Sequence, residues 1–163
     1  TLDVPYSQEN AVRTSIAGQI LNMIYLKTIR EDASAAYSCG AVGRTSKNDF
    51  EDMTRILAYC PLKPEMAGQV FDIMHKEING MTKKVDADKL QKVKEYMHKS
   101  ISDQRKTNNY WLQILNLYTN YGIDMDTNYD AVVDAQTPET ISAIVGEILK
   151  SGNRAEILML PQE

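Results

Sequence analysis

The spacing of hydrophobic and polar positions changes several times along the chain, and each change marks a predicted element. Leu2 and Val4 alternate with polar residues before a proline, which predicts the tail of a strand over 1–4. From Ser7, a favourable helix N-cap, apolar residues recur every three to four positions as far as Ile29. This spacing predicts a long helix with a wide apolar face formed by Val12, Ile16, Ala17, Ile20, Leu21 and Ile24.

A β-hairpin is predicted after this helix. Residues 35–44 are mostly small, and Gly40 and Gly43 within them predict a bulge or the close approach of another backbone. The polar stretch 45–50 predicts the hairpin loop. Residues 53–60 alternate between two faces, and Pro61 ends this second strand because proline has no N–H to donate.

The remainder of the chain is dominated by helical spacing. Helices are predicted over 64–80, from Asp86 to a break at 106–108, from there to Gly122, and over 137–152, with a polar connection at 123–136. The apolar run 155–160 predicts a short, buried central strand. The order of helix, hairpin, helices and strand predicts an α+β fold in which helices pack on one face of a mainly antiparallel sheet.

Length, charge and cysteine content narrow the function classes. The 163 residues are predicted to form a single domain, 1–163, large enough for a core. A net charge of −4 argues against nucleic-acid binding, and no apolar run reaches the length of a membrane span. A hairpin turning near Lys47 would place Cys39 opposite Ile56 rather than Cys60, so two buried free thiols are predicted.

The familiar motifs of metal and nucleophilic catalysis are missing from the sequence. The two histidines, His75 and His98, are too far apart to form a helical zinc pair, and the sequence contains no Gly-x-Ser-x-Gly and no glycine-rich phosphate loop. Aromatic residues between 96 and 121 follow helical spacing, which favours helix packing over a stacking platform. The charged run from Lys83 to Lys94 is interpreted as a solvated helix face.

Arg30 and Tyr37 remain as candidate functional residues. They lie seven positions apart, on either side of the predicted junction between the first helix and the hairpin. Spacing alone allows two interpretations: the side chains share one rim of the molecule, or they are ordinary surface and packing residues.

An ordered set of short elements resembles the C-terminal half of insulinase/pitrilysin-type metallopeptidases. The set comprises Arg30-x6-Tyr37 before a hairpin, Tyr110-Trp111 within a helix, Thr137-Pro138-Glu139 opening another helix, and a final apolar strand ending at Leu160-Pro161. It spans nearly the whole chain. Ala36 is a departure, because the family often has glycine before the tyrosine.

The resemblance implies a mitochondrial processing peptidase-type domain from the half of the enzyme that lacks zinc. Zinc is then expected in the other half, bound through His-x-x-Glu-His, and no cofactor or metal is expected in this chain, which alone is predicted to be inactive. The resemblance also implies that Arg30 and Tyr37 contact an unfolded peptide substrate near the bond to be cleaved. The alternative is a non-catalytic partner or interaction subunit of the same fold, in which Arg30 and Tyr37 are structural.

The chain is expected to be a piece of a longer protein, because it starts without Met inside a predicted strand. The expected partner is the zinc-binding N-terminal half, on the same chain or on a partner subunit. A sheet without its first strand or strands would have an open edge, and homo-association through that edge is predicted. The compartment is left open between bacterial periplasm and cytoplasm.

Overall fold

The computed structural model describes residues 1–47 and 50–160. These residues form six α-helices, two strands and two short irregular helices. In chain order they are α1 (Gln8–Tyr25), a π-helical segment (Leu26–Asp32), β1 (Gly40–Lys47), β2 (Asp52–Tyr59), a 3-10 turn (Pro64–Met66), α2 (Ala67–Met81), α3 (Ala87–Gln104), α4 (Asn108–Tyr121), α5 (Tyr129–Asp134) and α6 (Pro138–Lys150).

Local capping explains where the predicted helices begin and end. The Ser7 hydroxyl accepts a hydrogen bond from the Asn10 N–H at 3.1 Å, and Thr137 caps α6 in the same way. Gly122 ends α4 in the left-handed conformation, with φ of 69°. One helix, α5, was not predicted. It lies inside the predicted polar connection 123–136, and its six residues are too few to show a helical period in the sequence.

The sheet is an antiparallel hairpin with a third segment beside it. β1 pairs with β2 from Gly40–Tyr59 to Lys47–Asp52, and Leu2 exchanges two hydrogen bonds with Thr54 of β2, at 2.7 and 2.8 Å. The predicted strand tail at 1–4 therefore lies along the outer edge of β2. Together with the helices, this antiparallel sheet confirms the α+β class.

The predicted boundaries of the hairpin need correction. The first strand begins at Gly40 rather than at 35 and continues through 45–47, which were predicted as loop; the predicted loop also includes 48–49, outside the described residues. Because the turn falls later than predicted, Ile56 pairs with Gly43. Extending the register by one residue places Cys39 opposite Cys60, contrary to the sequence prediction. Both thiols are free; Cys39 is buried and Cys60 is half-buried.

The predicted central strand at 155–160 is wrong. These residues have no regular structure, and the side chains of Ile157 and Met159 are 80% and 89% exposed. A strand needs a neighbour to receive its backbone hydrogen bonds, and apolar composition does not supply one. Pro161, which closes the predicted motif, lies outside the described residues.

Helix α1 is the centre of the core. Ile16, Ile20 and Leu21 are completely buried, and α1 packs against β1, α3 and α6. Each such side chain contributes about 1.5–3 kcal/mol by leaving water. The predicted inward stripes of α3 and α6 are confirmed; their buried members are Leu90, Val93, Met97, Ile101, Ile141, Ile144, Val145 and Ile148.

Two glycines allow α1 to lie directly on the sheet. A side chain on Gly18 would overlap the backbone of Gly43, and one on Gly43 would overlap the carbonyl oxygen of Thr14. The close backbone approach predicted at Gly43 is therefore confirmed. The continuous register shows no bulge at this position.

Helix α4 differs from its prediction. Only Tyr110 is buried, whereas Trp111, Leu115 and Tyr118 of the supposed packing stripe are exposed. The predicted core or helix-packing role of the aromatic side chains is therefore confirmed for Tyr110 and wrong for Tyr96, Trp111 and Tyr118, which are exposed. None of the described helices combines the length and the apolar character that crossing a bilayer requires.

Candidate functional site

Arg30 lies on the π-helical segment that continues α1. The segment widens the last turns of the helix, and the Ala33 N–H reaches back five residues to the Thr28 carbonyl at 3.1 Å. Ile29 is fully buried while Arg30 next to it is exposed. Ile29 therefore anchors the segment in the core and leaves the guanidinium in solvent. Such π-helical segments are frequent at functional sites.

Tyr37 lies on the irregular segment 33–39, between the π-helical segment and β1. Ser34 has a φ of 48°, an uncommon value for a residue with a side chain. Ala35 and Cys39 are buried on either side of Tyr37, whose own side chain is 89% exposed. Ala36, at which the sequence resemblance leads one to expect glycine, does not have a positive φ. The unusual backbone angle is thus at Ser34.

The structure brings the two predicted site residues together. The Arg30 guanidinium carbon lies 5.8 Å from the centre of the Tyr37 ring, within the range of a cation–π contact. No described residue forms a hydrogen bond with the Tyr37 hydroxyl. The pair therefore presents guanidinium donors and a phenolic donor side by side, groups that suit carbonyl, carboxylate or oxyanion oxygens.

Buried side chains hold the base of this pair. The Tyr25 hydroxyl donates to the Met74 carbonyl at 3.0 Å, which ties the end of α1 to α2, and burial raises the pKa of Tyr25. Burial also raises the pKa of the Cys39 thiol, while the nearby positive charge of Arg30 acts in the opposite direction. Arg30 and Tyr37 thus project from a packed platform.

The pair lies on an open surface, since Arg30 is exposed and the Tyr37 side chain is 89% exposed. A groove of about 560 Å³ does exist between α1 and α3, lined by both polar and apolar side chains, among them Gln19, Asn22 and Tyr96. Neither Arg30 nor Tyr37 lines this groove. A substrate bound at the pair would need a second surface to enclose it.

Neither histidine belongs to a metal centre in the part of the chain that the structure describes. His75 Nε2 lies 2.9 Å from Glu156 Oε1, and His98 is held by two aspartates. No group of three His, Cys, Asp or Glu side chains suited to a metal ion occurs among residues 1–47 and 50–160. The donor set does not fit the family's zinc site.

We expect the purified chain to carry no stoichiometric zinc, because isolated histidines bind the ion weakly. Elemental analysis after dialysis measures this directly. One tightly held equivalent that is lost in a His75→Ala or His98→Ala variant would contradict the expectation.

A cluster that the sequence did not reveal joins α3 to α5. His98 Nδ1 lies 2.7 Å from Asp130 and Nε2 lies 2.8 Å from Asp134. Arg105 binds Asp126 and Asp130, at 2.8 and 3.1 Å. Both imidazole nitrogens face carboxylates, which requires both to carry protons, so the geometry favours imidazolium. The two aspartates raise the pKa of His98 above its ordinary value of 6.5.

This cluster predicts a pH-dependent loss of stability in His98→Gln. A raised folded-state pKa stabilises the fold fully below pH 6.5, and that stabilisation is lost as pH rises through the folded pKa. The pKa of Asp130 is lowered, so its contribution to stability has the opposite pH dependence. It is present above pH 3.8 and is lost as the pH falls through the folded-state pKa. Urea unfolding should therefore show the largest deficit of the variant at about pH 5 and little deficit at about pH 9.

The pairing can be checked with a double-mutant cycle. In an Asp130→Asn background, His98→Gln should lower the free energy of unfolding at about pH 5 by less than it does in the wild-type chain. One of the two carboxylate partners of His98 is then already replaced by a neutral amide. A deficit of His98→Gln that stays constant with pH would contradict the imidazolium assignment.

Comparisons with known proteins show the fold. No protein-family model matches the chain, and no curated protein sequence matches it. Several solved structures share its fold, among them the following three. A mutant of the ferredoxin protease FusC, in complex with Arabidopsis ferredoxin, has a TM-score of 0.68 and 16% identity, over 90% of this chain and 16% of that one.

The other two structures agree with the first. The periplasmic protease PqqL from Escherichia coli has a TM-score of 0.68 and 20% identity, again over 90% of this chain and 16% of that one. A conserved protein from Enterococcus faecalis has a TM-score of 0.67 and 16% identity, over 88% of this chain and 33% of that one. The chain therefore matches a small part of two larger proteases.

Proposed function

We propose that this chain is the non-zinc-binding C-terminal domain of an insulinase/pitrilysin-type zinc metallopeptidase. In this role the domain closes a peptide-binding chamber whose zinc-binding half is elsewhere on the parent protein or on a partner subunit. Arg30 and Tyr37 contact the bound peptide. The domain alone is inactive.

The fold and the relative lengths support the proposal. Two of the matching structures are proteases, and this chain spans only 16% of each. That proportion suits one domain of a multidomain enzyme, as the sequence resemblance implies.

The observation that carries the proposal is the exposed contact between Arg30 and Tyr37. A tyrosine that is 89% exposed is held against a guanidinium by a π-helical segment and a left-handed Ser34. Backbone in sparsely populated conformations costs free energy and concentrates at binding and catalytic sites. Residues 30–37 therefore have the local features of a functional segment.

The chemistry of the pair suits peptide hydrolysis. Zinc bound in the other half would polarise the peptide carbonyl and activate water. On this chain, the Arg30 guanidinium can bind a backbone carbonyl or carboxylate of the substrate and fix its position. The Tyr37 hydroxyl can donate a hydrogen bond to the oxyanion, a contact worth roughly 100–1000-fold in rate.

An interaction subunit is the second candidate, and one feature favours it. Leu112, Leu115 and Tyr118 recur at every third residue along α4, and all three side chains are exposed. Apolar side chains of 157–160 are exposed in a separate segment. Exposed apolar groups that lie together commonly mark protein–protein contacts. In this alternative the domain docks on a partner and takes no part in cleavage.

The full reading frame separates the two candidates. The proposal predicts a His-x-x-Glu-His sequence in the parent protein or its partner, and chelator-sensitive peptide cleavage by the assembled protein. If the assembled protein carries no such motif and cleaves no unfolded peptide, the interaction subunit is the correct assignment.

A further inference from the structure

The two cysteines face each other across the open end of the hairpin. The antiparallel register ends with Gly40 of β1 paired to Tyr59 of β2. Cys39 and Cys60 therefore occupy the next pair of opposed positions, just beyond the ends of the two strands. Antiparallel partners have Cα atoms about 4.5–5.5 Å apart. Disulfides bridge Cα separations of about 4.4–6.8 Å, so this position is suited to one.

The side chains also lie on the same face of the sheet. Side chains alternate along a strand, so Cys39 shares the face of buried Ala41, and Cys60 shares the face of buried Thr54. Cys39 is part of the hydrophobic core, and Cys60 packs against the same core. The Cys60 Sγ also lies 3.7 Å from the Ser38 carbonyl oxygen, so the Cys60 side chain reaches the segment that leads into β1.

We propose that Cys39 and Cys60 form a reversible intramolecular disulfide that closes the base of the hairpin. The oxidant is a low-molecular-weight disulfide such as oxidised glutathione. The partly exposed Cys60 thiolate attacks it, which gives a mixed disulfide and releases one glutathione thiolate. The Cys39 thiolate then attacks Cys60 Sγ and releases the second. Two cysteines are oxidised, one glutathione disulfide is reduced to two thiols, and the cysteine protons pass to the released thiolates.

The bridge would fix the segment that carries Tyr37. Cys39 lies two residues after Tyr37 and adjoins Arg30, whose charge acts on its thiol. A covalent link to Cys60 at the end of β2 would limit the movement of 33–39 relative to the sheet. Formation of the bridge does not depend on whether Arg30 and Tyr37 contact a substrate.

The test uses the complete 163-residue chain in reduced form. It is incubated with oxidised glutathione at about pH 9, because burial raises the pKa of both thiols and the thiolate is the attacking form, and then treated with N-ethylmaleimide. We expect a monomer in which neither cysteine is alkylated, with an intact mass lower by two hydrogen atoms. A non-reduced peptide map should contain Cys39 joined to Cys60, and dithiothreitol should restore both thiols.

A relocated cysteine is the matched control. The double substitution Cys60→Ser with Ala58→Cys keeps a cysteine on the same strand and face but moves it to the diagonal of Cys39, about 7–8 Å away. This separation is too long for a disulfide without backbone movement. The relocated variant should give glutathione adducts and no internal bridge.

Thermal unfolding provides the second measurement. A bridge formed without distortion should raise Tm by about 5–10 °C over the reduced chain, since it closes a loop of roughly twenty residues. The proposal is overturned if the wild-type chain ends as a glutathione adduct, as a disulfide-linked dimer or with both thiols alkylated. It is also overturned if the oxidised chain melts at or below the temperature of the reduced one.

Discussion

On the proposed function, replacing Tyr37 by phenylalanine in the assembled parent protein should lower kcat for peptide cleavage by roughly 10–1000-fold. The substitution keeps the aromatic ring, and with it the contact to Arg30, and removes only the hydroxyl. Because no described residue forms a hydrogen bond with that hydroxyl and the side chain is 89% exposed, folding should be unaffected. A loss in kcat with little change in KM would show that the hydroxyl acts mainly in the transition state.

Arg30→Ala should give a different kinetic pattern. Arg30 is exposed beside Tyr37 and has donors for substrate oxygens, so its removal should raise KM as well as lower kcat. It also removes the cation–π contact, worth about 0.5–1 kcal/mol at an exposed site. Arg30→Lys keeps the charge but lacks the planar set of donors, and it should recover only part of the lost binding.

The matched control for these variants is Tyr118→Phe. Tyr118 is also an exposed tyrosine, 60% accessible on α4, and its hydroxyl should not affect cleavage. Steady-state kinetics on one unfolded peptide compares all the variants. Wild-type kinetics in both Tyr37→Phe and Arg30→Ala would show that the pair is structural and would favour the interaction subunit.

The sequence predicted those parts of the fold that depend on local burial. Helices with a strong apolar period against the core, such as the one that carries Leu90, Val93 and Met97, were found where the spacing placed them. Cap residues such as Ser7 fixed the ends, because their hydrogen bonds are local.

Features that depend on distant partners were predicted poorly. The apolar run 155–160 cannot show in its own residues whether a neighbouring strand exists. The opposition of Cys39 and Cys60 depends on where the turn falls, and a late turn shifts the whole register. The contacts of His98 come from α5, which is too short to have a period.

The candidate site was only partly accessible from the sequence. The resemblance selected Arg30 and Tyr37, and the structure places them together, but no periodicity indicates a π-helical segment or a left-handed Ser34. These features arise because the end of α1 must keep Ile29 in the core and still turn the chain towards β1. Their role in binding stays a prediction until the kinetics above are measured.

The contact between α1 and β1 gives the largest expected effect on stability. Gly18→Ala and Gly43→Ala should each lower the free energy of unfolding by about 3 kcal/mol or more. At both positions the added carbon would meet backbone atoms of the opposite element, at Gly43 and at Thr14. Backbone atoms cannot rotate out of the way as the end of a side chain can, so helix α1 itself must move away from the sheet. Much of the core is formed by α1, and its displacement would loosen that core.

Two glycines with other surroundings test whether this contact is the cause. The atoms nearest to a side chain on Gly40 would be those of the Tyr59 ring tip, at 2.6 Å, and that half-exposed side chain can rotate away. Gly146 lies inside α6 with nothing within 4 Å, so Gly146→Ala should stabilise by about 0.4–1 kcal/mol. Urea unfolding measures all four variants, with the stabilised Gly146→Ala chain as an alternative background if Gly43→Ala is too unstable to purify.

The double variant identifies the shared contact. If Gly18 and Gly43 meet at one point, the displacement of α1 that either substitution forces also makes room for the other. The double variant with Gly18→Ala and Gly43→Ala should then lose less free energy of unfolding than the sum of the losses in the two single variants. Full additivity would mean that the two glycines act independently, and a Gly43→Ala chain as stable as wild type would show that α1 does not lie on β1 at this distance.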